Sequence, residues 1–301
     1  MSLRALYDVP APGKLNLFLH VVGRRADGYH LLQSLFVPID WADRLHFERR
    51  DDGRLARHDL GAALPADDLS LRAARALQQA SGQRLGVDIT LDKRLPWGAG
   101  LGGGSSDAAS TLLALNRLWG LRWPRARLAA IGLALGADVP FFLGPGPAFV
   151  EGIGERLTPV ALAGAQYLVV KPAAAVATRD VFTHPLARRD SEPDILAGSF
   201  EDSAAWRSGY GRNDLQPAAE ALCPEVAEAV RWLVAHLGNG RMSGSGSAVF
   251  ARVDTECDTN DAAASPAAMP VAQALDELRR LRPQWVARHC RSLAGHPLAH
   301  W

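Results

Sequence analysis

The chain has 301 residues, 48% of them hydrophobic and 22% charged, a globular composition at a length between one large domain and two moderate ones. Its 33 basic and 32 acidic residues nearly cancel, which excludes a global field that would draw it to nucleic acid or to an acidic membrane. Only Lys14, Lys93 and Lys171 are lysines against an arginine-rich background, so each is a candidate for work a planar guanidinium cannot do.

Lys14 to Ile39 reads as strand, turn, strand, with Asp27-Gly28 as the turn signal. Asn16 shares strand parity with Lys14, so both side chains are expected on one face. Val87, Ile89 and Leu91 alternate with polar residues and predict a half-buried strand running into Lys93-Arg94-Leu95-Pro96. Ala108, Leu112, Leu115 and Trp119 predict a helix from about Ser106 to the C′ residue Gly120, and a second helix is expected from Pro124 to Leu135, ended by Gly136.

Tyr167–Lys171 and Ser247–Val253 read as strands, and Glu225–Leu237 as a helix with Val226, Val230, Leu233 and Leu237 on one face. Residues 254–270 lack apolar periodicity and read as a flexible surface insertion. The irregular alternation favours an α+β fold in two lobes, at residues 1–162 and 163–301.

Cys223, Cys257 and Cys290 are odd in number and contain no C-x-x-C pair, which argues against a disulfide framework and a zinc knuckle and fits a reducing cytoplasm. The first residues carry no apolar run of signal-peptide length, and the most apolar stretch, Leu128–Val150, is broken by Asp138 and three prolines, so neither secretion nor membrane spanning is expected. His289, Cys290, His296 and His300 lack a completing cluster and read as solvated tail residues rather than metal ligands.

The most informative stretch is Pro96-Trp97-Gly98-Ala99-Gly100-Leu101-Gly102-Gly103-Gly104-Ser105-Ser106, just before a helix. Glycines at a helix start let backbone N–H groups converge on an anion at the positive end of the helix, which makes a phosphate cradle. Gly98, Gly100 and Gly103 formally satisfy G-x-G-x-x-G, but Pro96 interrupts the strand, and no acid lies between Asp107 and Asp138 to hold a ribose. Gly13-Lys14-Leu15 is not a Walker A loop, which would need Ser or Thr after the lysine.

This stretch resembles the nucleotide loop of the GHMP small-molecule kinases, and Arg241-Met242-Ser243-Gly244-Ser245-Gly246-Ser247 resembles their C-terminal glycine motif. Ala11–Leu17, Arg24–His30 and Gly136–Phe142 are similar to signatures of the branch acting on a cytidine-diphosphate-linked polyol. The resemblance implies an N-terminal nucleotide lobe, a smaller C-terminal α/β sandwich lobe, ATP as phosphoryl donor and Mg²⁺. It further implies that Pro96 to Ser106 hold the ATP phosphates, with Asp138 as base and Lys14 beside it. The acceptor falls to Asn16, Tyr29, His30 and Phe182, with His30 hydrogen-bonding the cytosine and Tyr29 stacking on it together with Phe182, the matching aromatic of the second lobe.

Asp68-Leu69 stands where that branch has Asn-Leu, and a carboxylate lacks the amide's donors. Read locally, Asp138 fits a structural ion pair or turn cap equally well, while Tyr29, His30 and Phe182 fit ordinary packing. Lys93 and Lys171 have no role derivable from sequence, and Lys93, which could help attract phosphates, reads as solvated. Another kinase of the same group, acting on homoserine, mevalonate or a sugar, and a catalytically inactive nucleotide sensor remain alternatives. The expected partner is a small molecule, and a monomer and a homodimer fit equally.

Overall fold

The computed structural model describes residues 3–61, 63–193, 211–253 and 269–301. The insertion expected at 254–270 therefore falls outside the described residues, except for its last two positions.

A long hairpin forms the spine: β1 (Ala5–Arg24) pairs antiparallel with β2 (His30–Arg50) through several register shifts. The hairpin is longer than its sequence signature because Pro10 and Pro12 obscure the start of β1. Among the described residues that strand forms a ladder with β2 alone, and a strand paired on one side tolerates proline. Around β2 stand β3 (Leu55–Leu60), β4 (Gly86–Asp92), β5 (Ala148–Gly152) and β6 (Arg156–Pro159), in the order β3-β4-β2-β5-β6. One face of this sheet carries α1 (Leu69–Ser81), α2 (Gly103–Leu118), α3 (Arg125–Leu135) and the short α4 (Val139–Leu143).

α2 is buried along nearly its whole length, which its run of Ala108, Ala109, Ser110, Thr111 and Ala114 permits by keeping the helix slim. It begins at Gly103 rather than near Ser106, with Gly102 in the left-handed region (φ 71°) as its N-cap. The two glycines that read as loop are the first turn of the helix. α3 runs from Pro124 as N-cap to Gly136, as its punctuation predicts.

The second lobe holds the sheet β10-β7-β9-β8, formed by β7 (Gln166–Lys171), β8 (Arg241–Met242), β9 (Val249–Val253) and β10 (Val286–Arg291). Around it lie α5 (Thr178–Thr183), α6 (Gln216–Leu222), α7 (Pro224–Leu237) and α8 (Val271–Leu281). Two features lock the lobes together. Leu19 and Val21 of β1 sit in the second core, and the backbone of Leu19 exchanges 2.9 Å hydrogen bonds with Arg212 and Asp214. In the other direction the C-terminal segment returns to the first lobe, where Leu293 N–H reaches Pro38 at 2.8 Å and Leu298 enters the core.

That return corrects the expectation of a solvated tail. His296 is buried, and desolvation beside the Arg125 guanidinium pushes its imidazole down to about 4. Cys290 is also buried, its thiol pushed up to about 12 by desolvation, while His289 and His300 are exposed. Among the described residues no helix is long and apolar enough to cross a membrane.

Candidate active site

The glycine segment is anchored before it begins. Asp43, fully buried on β2, accepts the backbone N–H groups of Arg94 and Leu95, both at 2.6 Å. Beyond Pro96 the chain turns through left-handed conformations at Gly98, Gly100 and Gly102. It then lies directly against the second lobe's glycine motif, where Ser247 N–H donates to Gly98 at 3.3 Å and Ala248 N–H to Ala99 at 3.0 Å. A Cβ on Gly100 would sit 2.3 Å from the Ser243 carbonyl oxygen, so only glycine permits this approach. Asn213 secures the second loop by donating from Nδ2 to Met242 O (2.8 Å) and Gly244 O (2.7 Å).

The first N–H groups of α2 have no partner within the helix and carry its positive end, so Gly103, Gly104 and Ser105 present an anion site. Ser105 is partly exposed. Ser106 is not available in the way the motif suggests: its backbone N–H is spent on Gly102 O at 2.9 Å, and its hydroxyl is fully buried. Ala99 and Leu101 likewise turn their side chains into the core, leaving backbone alone for a ligand. Trp97 stands out at the rim of the loop, 61% exposed.

Beneath the loop lies Lys14, 3% exposed. Its ammonium donates to Asn16 Oδ1 and, at 2.9 Å, to Gly100 O, and it sits 4.7 Å from the centroid of Phe36. Asp138 approaches it with Oδ2 at 3.9 Å. Burial pulls the Lys14 ammonium below its ordinary range, and the Asp138 carboxylate pulls the other way. The shared strand face expected of Lys14 and Asn16 is thus realised as a direct contact. Asn16 is fixed in turn by donating from Nδ2 to Ser34 Oγ (2.9 Å) and from its backbone N–H to Ser243 Oγ (3.1 Å). Asp138 is the N-cap residue of α4, whose Val139, Phe141 and Phe142 are buried in the first core, and its side chain remains 33% exposed. A carboxylate held at a cleft rim by an apolar anchor, with one lysine in reach, can accept a proton from a ligand.

Neither remaining lysine is solvated, which for Lys93 corrects the reading from sequence. Lys93 bridges two buried carboxylates, Asp43 and, at 2.5 Å, Asp107, the fifth residue of α2. The two carboxylates hold its ammonium above the usual range against the opposing effect of burial, and desolvation pushes the Asp107 carboxyl well up. Lys171 is buried and caps a turn, donating to Pro172 O at 2.5 Å and Ala174 O at 2.9 Å. That turn touches the site, because Ala174 O also accepts Ser247 Oγ at 2.8 Å. Asp68 has a local occupation too: it caps α1 by accepting Leu71 N–H at 3.1 Å and pairs with Arg57 at 2.6 Å.

At the outer end of the hairpin two rings of the expected acceptor side meet. His30 stacks on Phe182 of α5, with centroids 5.0 Å apart and planes inclined by 22°. Tyr29, following Gly28 in its left-handed turn (φ 91°), points outward and is 61% exposed. Burial and the nearby Arg189 and Arg24 guanidinium groups lower the His30 pKa. Ser243 and Asn213, which join the lobes at the site, went unflagged as individual residues. The glycines around Ser243 were the available signal, and Asn213 has none in its local pattern.

Comparison with known proteins is consistent along the whole chain. Residues 68–146 match the family described as GHMP kinases N terminal domain, and residues 191–268 match GHMP kinases C terminal. The 4-diphosphocytidyl-2-C-methyl-D-erythritol kinase of Methylibium petroleiphilum is 60% identical over 100% of this chain and 99% of its own length. A crystal structure of 4-(cytidine 5'-diphospho)-2C-methyl-D-erythritol kinase superposes with a TM-score of 0.75 at 38% identity, covering 94% of this chain and 98% of that one. Homoserine kinase from Cytophaga hutchinsonii shares the fold, with a TM-score of 0.70 at 17% identity over 97% of this chain and 95% of its own.

Proposed function

The chain belongs to the GHMP kinases, and we propose that it transfers the γ-phosphoryl group of ATP to the 2-hydroxyl of 4-diphosphocytidyl-2-C-methyl-D-erythritol, a step of non-mevalonate isoprenoid biosynthesis, in the cytoplasm. The observation that carries this reading is the Lys14–Asp138 pair, 3.9 Å apart under the glycine loop.

Phosphoryl transfer asks a protein to align donor and acceptor, neutralise developing charge and take one proton. The glycine loop and the first turn of α2 hold the ATP phosphates through backbone N–H groups, with the Ser105 hydroxyl beside them. Asp138 takes the acceptor's hydroxyl proton as its oxygen attacks the γ-phosphorus; the bond from that phosphorus to the bridging oxygen breaks, and ADP leaves. General-base assistance of this kind is worth roughly 10²–10⁴-fold.

An ammonium has three N–H donors. In Lys14 two are committed, to Asn16 and Gly100 O, and the third faces Asp138, where it orients the carboxylate and can meet an oxygen of the phosphoryl group. A planar guanidinium cannot distribute its donors in those three directions from a buried position. This accounts for a lysine in a chain that otherwise prefers arginine. Asn16 and the His30–Phe182 pair, with Tyr29 at its edge, supply the acceptor side.

Magnesium fits as a companion of the nucleotide. No group of three His, Cys, Asp or Glu side chains is placed to hold a metal among the described residues, and Mg²⁺ commonly needs only one or two protein oxygens beside substrate phosphates. Ser105, at the partly exposed start of α2, would be a protein oxygen beside it. When bound, it would supply charge neutralisation between the phosphates.

The test is ADP release with this acceptor against homoserine, mevalonate and galactose. Turnover with the cytidine-linked polyol alone is expected. Turnover confined to another acceptor would replace the substrate, and ATP binding without any turnover would reject the enzyme reading.

A further inference from the structure

Two guanidinium groups stand beside the His30–Phe182 stack without an acidic partner among the described residues. Arg189 folds back on α5, donating from Nε (3.2 Å) and Nη2 (2.7 Å) to Phe182 O, and from Nη2 to His184 O at 2.7 Å. Arg24, the last residue of β1, donates from Nε to Gly28 O at 3.1 Å. Nη1 of Arg189 and both η nitrogens of Arg24 donate to nothing among the described residues. Nor does either residue have a carboxylate within ion-pair distance there: Asp27 is paired with Arg25 at 2.6 Å and Asp190 with Arg188 at 3.4 Å.

Some arginines beside the first sheet are matched by acids, as Arg50 is by Asp52 and Asp88, and Arg57 by Asp59 and Asp68. Arg24 and Arg189 have no such match among the described residues, and both stand beside one aromatic pair. Both charges reach the stacked ring, since both bear on His30. An aromatic and imidazole platform suits the face and edge of a base, and guanidinium forks match phosphate oxygens.

We propose that Arg24 and Arg189 form the anionic half of the acceptor site, holding the diphosphate of a nucleoside-diphosphate-linked substrate whose base lies against His30 and Phe182. The proposal rests on the acceptor reading above and adds the residues that make the enzyme select a diphosphate-bearing acceptor. Arg189 also caps α5 and so supports Phe182, whereas the Arg24 side chain bonds only Gly28 O, its backbone alone standing opposite His30 in the hairpin ladder. The pair therefore separates charge recognition from mere support.

The experiment measures inhibition against the acceptor by cytidine, CMP and CDP at saturating ATP, in the wild type, Arg24→Gln, Arg189→Gln, Arg189→Lys and the Arg24→Gln/Arg189→Gln double variant. In the wild type CDP is expected to bind at least about tenfold more tightly than cytidine, an advantage that shrinks with added salt. In the double variant that advantage falls to within about threefold while cytidine inhibition is unchanged, and Arg189→Lys retains most of it. An undiminished preference for CDP in the double variant would overturn the proposal. Equal weakening of cytidine and CDP would also overturn it, because that is the signature of a residue that only supports Phe182. If the wild type binds none of the three, the acceptor reading itself fails, and the proposal with it.

Discussion

Gly100→Ala probes the contact on which the site depends. Gly100 has φ 72°, a Cβ there would lie 2.3 Å from Ser243 O and 3.2 Å from the N and O of Gly246, and all three obstacles are backbone atoms. The loops must part. An alanine in the left-handed region costs about 1–2 kcal/mol, and displacing the Gly100 carbonyl sacrifices the 2.9 Å bond from the Lys14 ammonium, worth about 1.5–3 kcal/mol for a charged donor. Together these are roughly 2.5–5 kcal/mol, so kcat/KM for ATP should fall by roughly 60- to 4,000-fold, at about 1.4 kcal/mol per decade. Gly120→Ala is the control: its φ is 68°, nothing lies within 4 Å of the added carbon, and it carries the conformational cost alone. Steady-state kinetics and thermal melts on both variants separate the two contributions. Gly120→Ala should melt earlier and keep its kinetics. If Gly100→Ala loses no more activity than Gly120→Ala, the loop contact does not position the catalytic lysine.

Lys14→Arg keeps the charge but not the three-way donor geometry, and should lower kcat by roughly 10²–10³-fold with the fold intact by circular dichroism; normal turnover would remove the argument for lysine. Trp97, exposed at the loop rim, should report nucleotide binding, so ATP should change the emission of the wild type and not of Trp97→Phe. An equal change in both would place the nucleotide away from that rim. His296 takes up a proton near its ordinary 6.5 when the chain is unfolded and only near about 4 when folded, so the unfolded state binds more protons between those values. Its contribution, about 3 kcal/mol, is complete above pH 6.5 and lost as pH falls to about 4. His296→Asn, which retains an acceptor for the Leu298 N–H, should flatten the stability slope in that window, measured by denaturant midpoints. An unchanged slope would mean the imidazole is not desolvated.

The helices with clear period and punctuation were legible: α3 between Pro124 and Gly136, and α7 ending at Gly238. The start of α2 was hidden because glycine is read as loop, although Gly102 caps a helix whose first turn is glycine. α4 was hidden because Val-Pro-Phe-Phe is too short for periodicity and forms a helix only by burial against the first core. In the site, the common face of Lys14 and Asn16 follows from strand alternation. What Lys93 does could not be read, since its partner Asp43 lies 50 residues away on another strand. The contact of Gly100 with Ser243 spans 143 residues and exists only once the lobes close on each other. The contact of His30 with Phe182 has no signal in strand alternation, because a turn sets the direction of Tyr29 and His30.

Phosphorus NMR of a reaction holding ATP, magnesium and 4-diphosphocytidyl-2-C-methyl-D-erythritol follows the transferred group itself. The wild type should convert the γ-phosphate into a new phosphomonoester while the acceptor's diphosphate stays intact, and Asp138→Asn should bind ATP normally yet form that signal roughly 10²–10⁴-fold more slowly. A wild type that leaves the acceptor unphosphorylated, or an Asp138→Asn variant that forms the product at the wild-type rate, would contradict phosphoryl transfer assisted by Asp138.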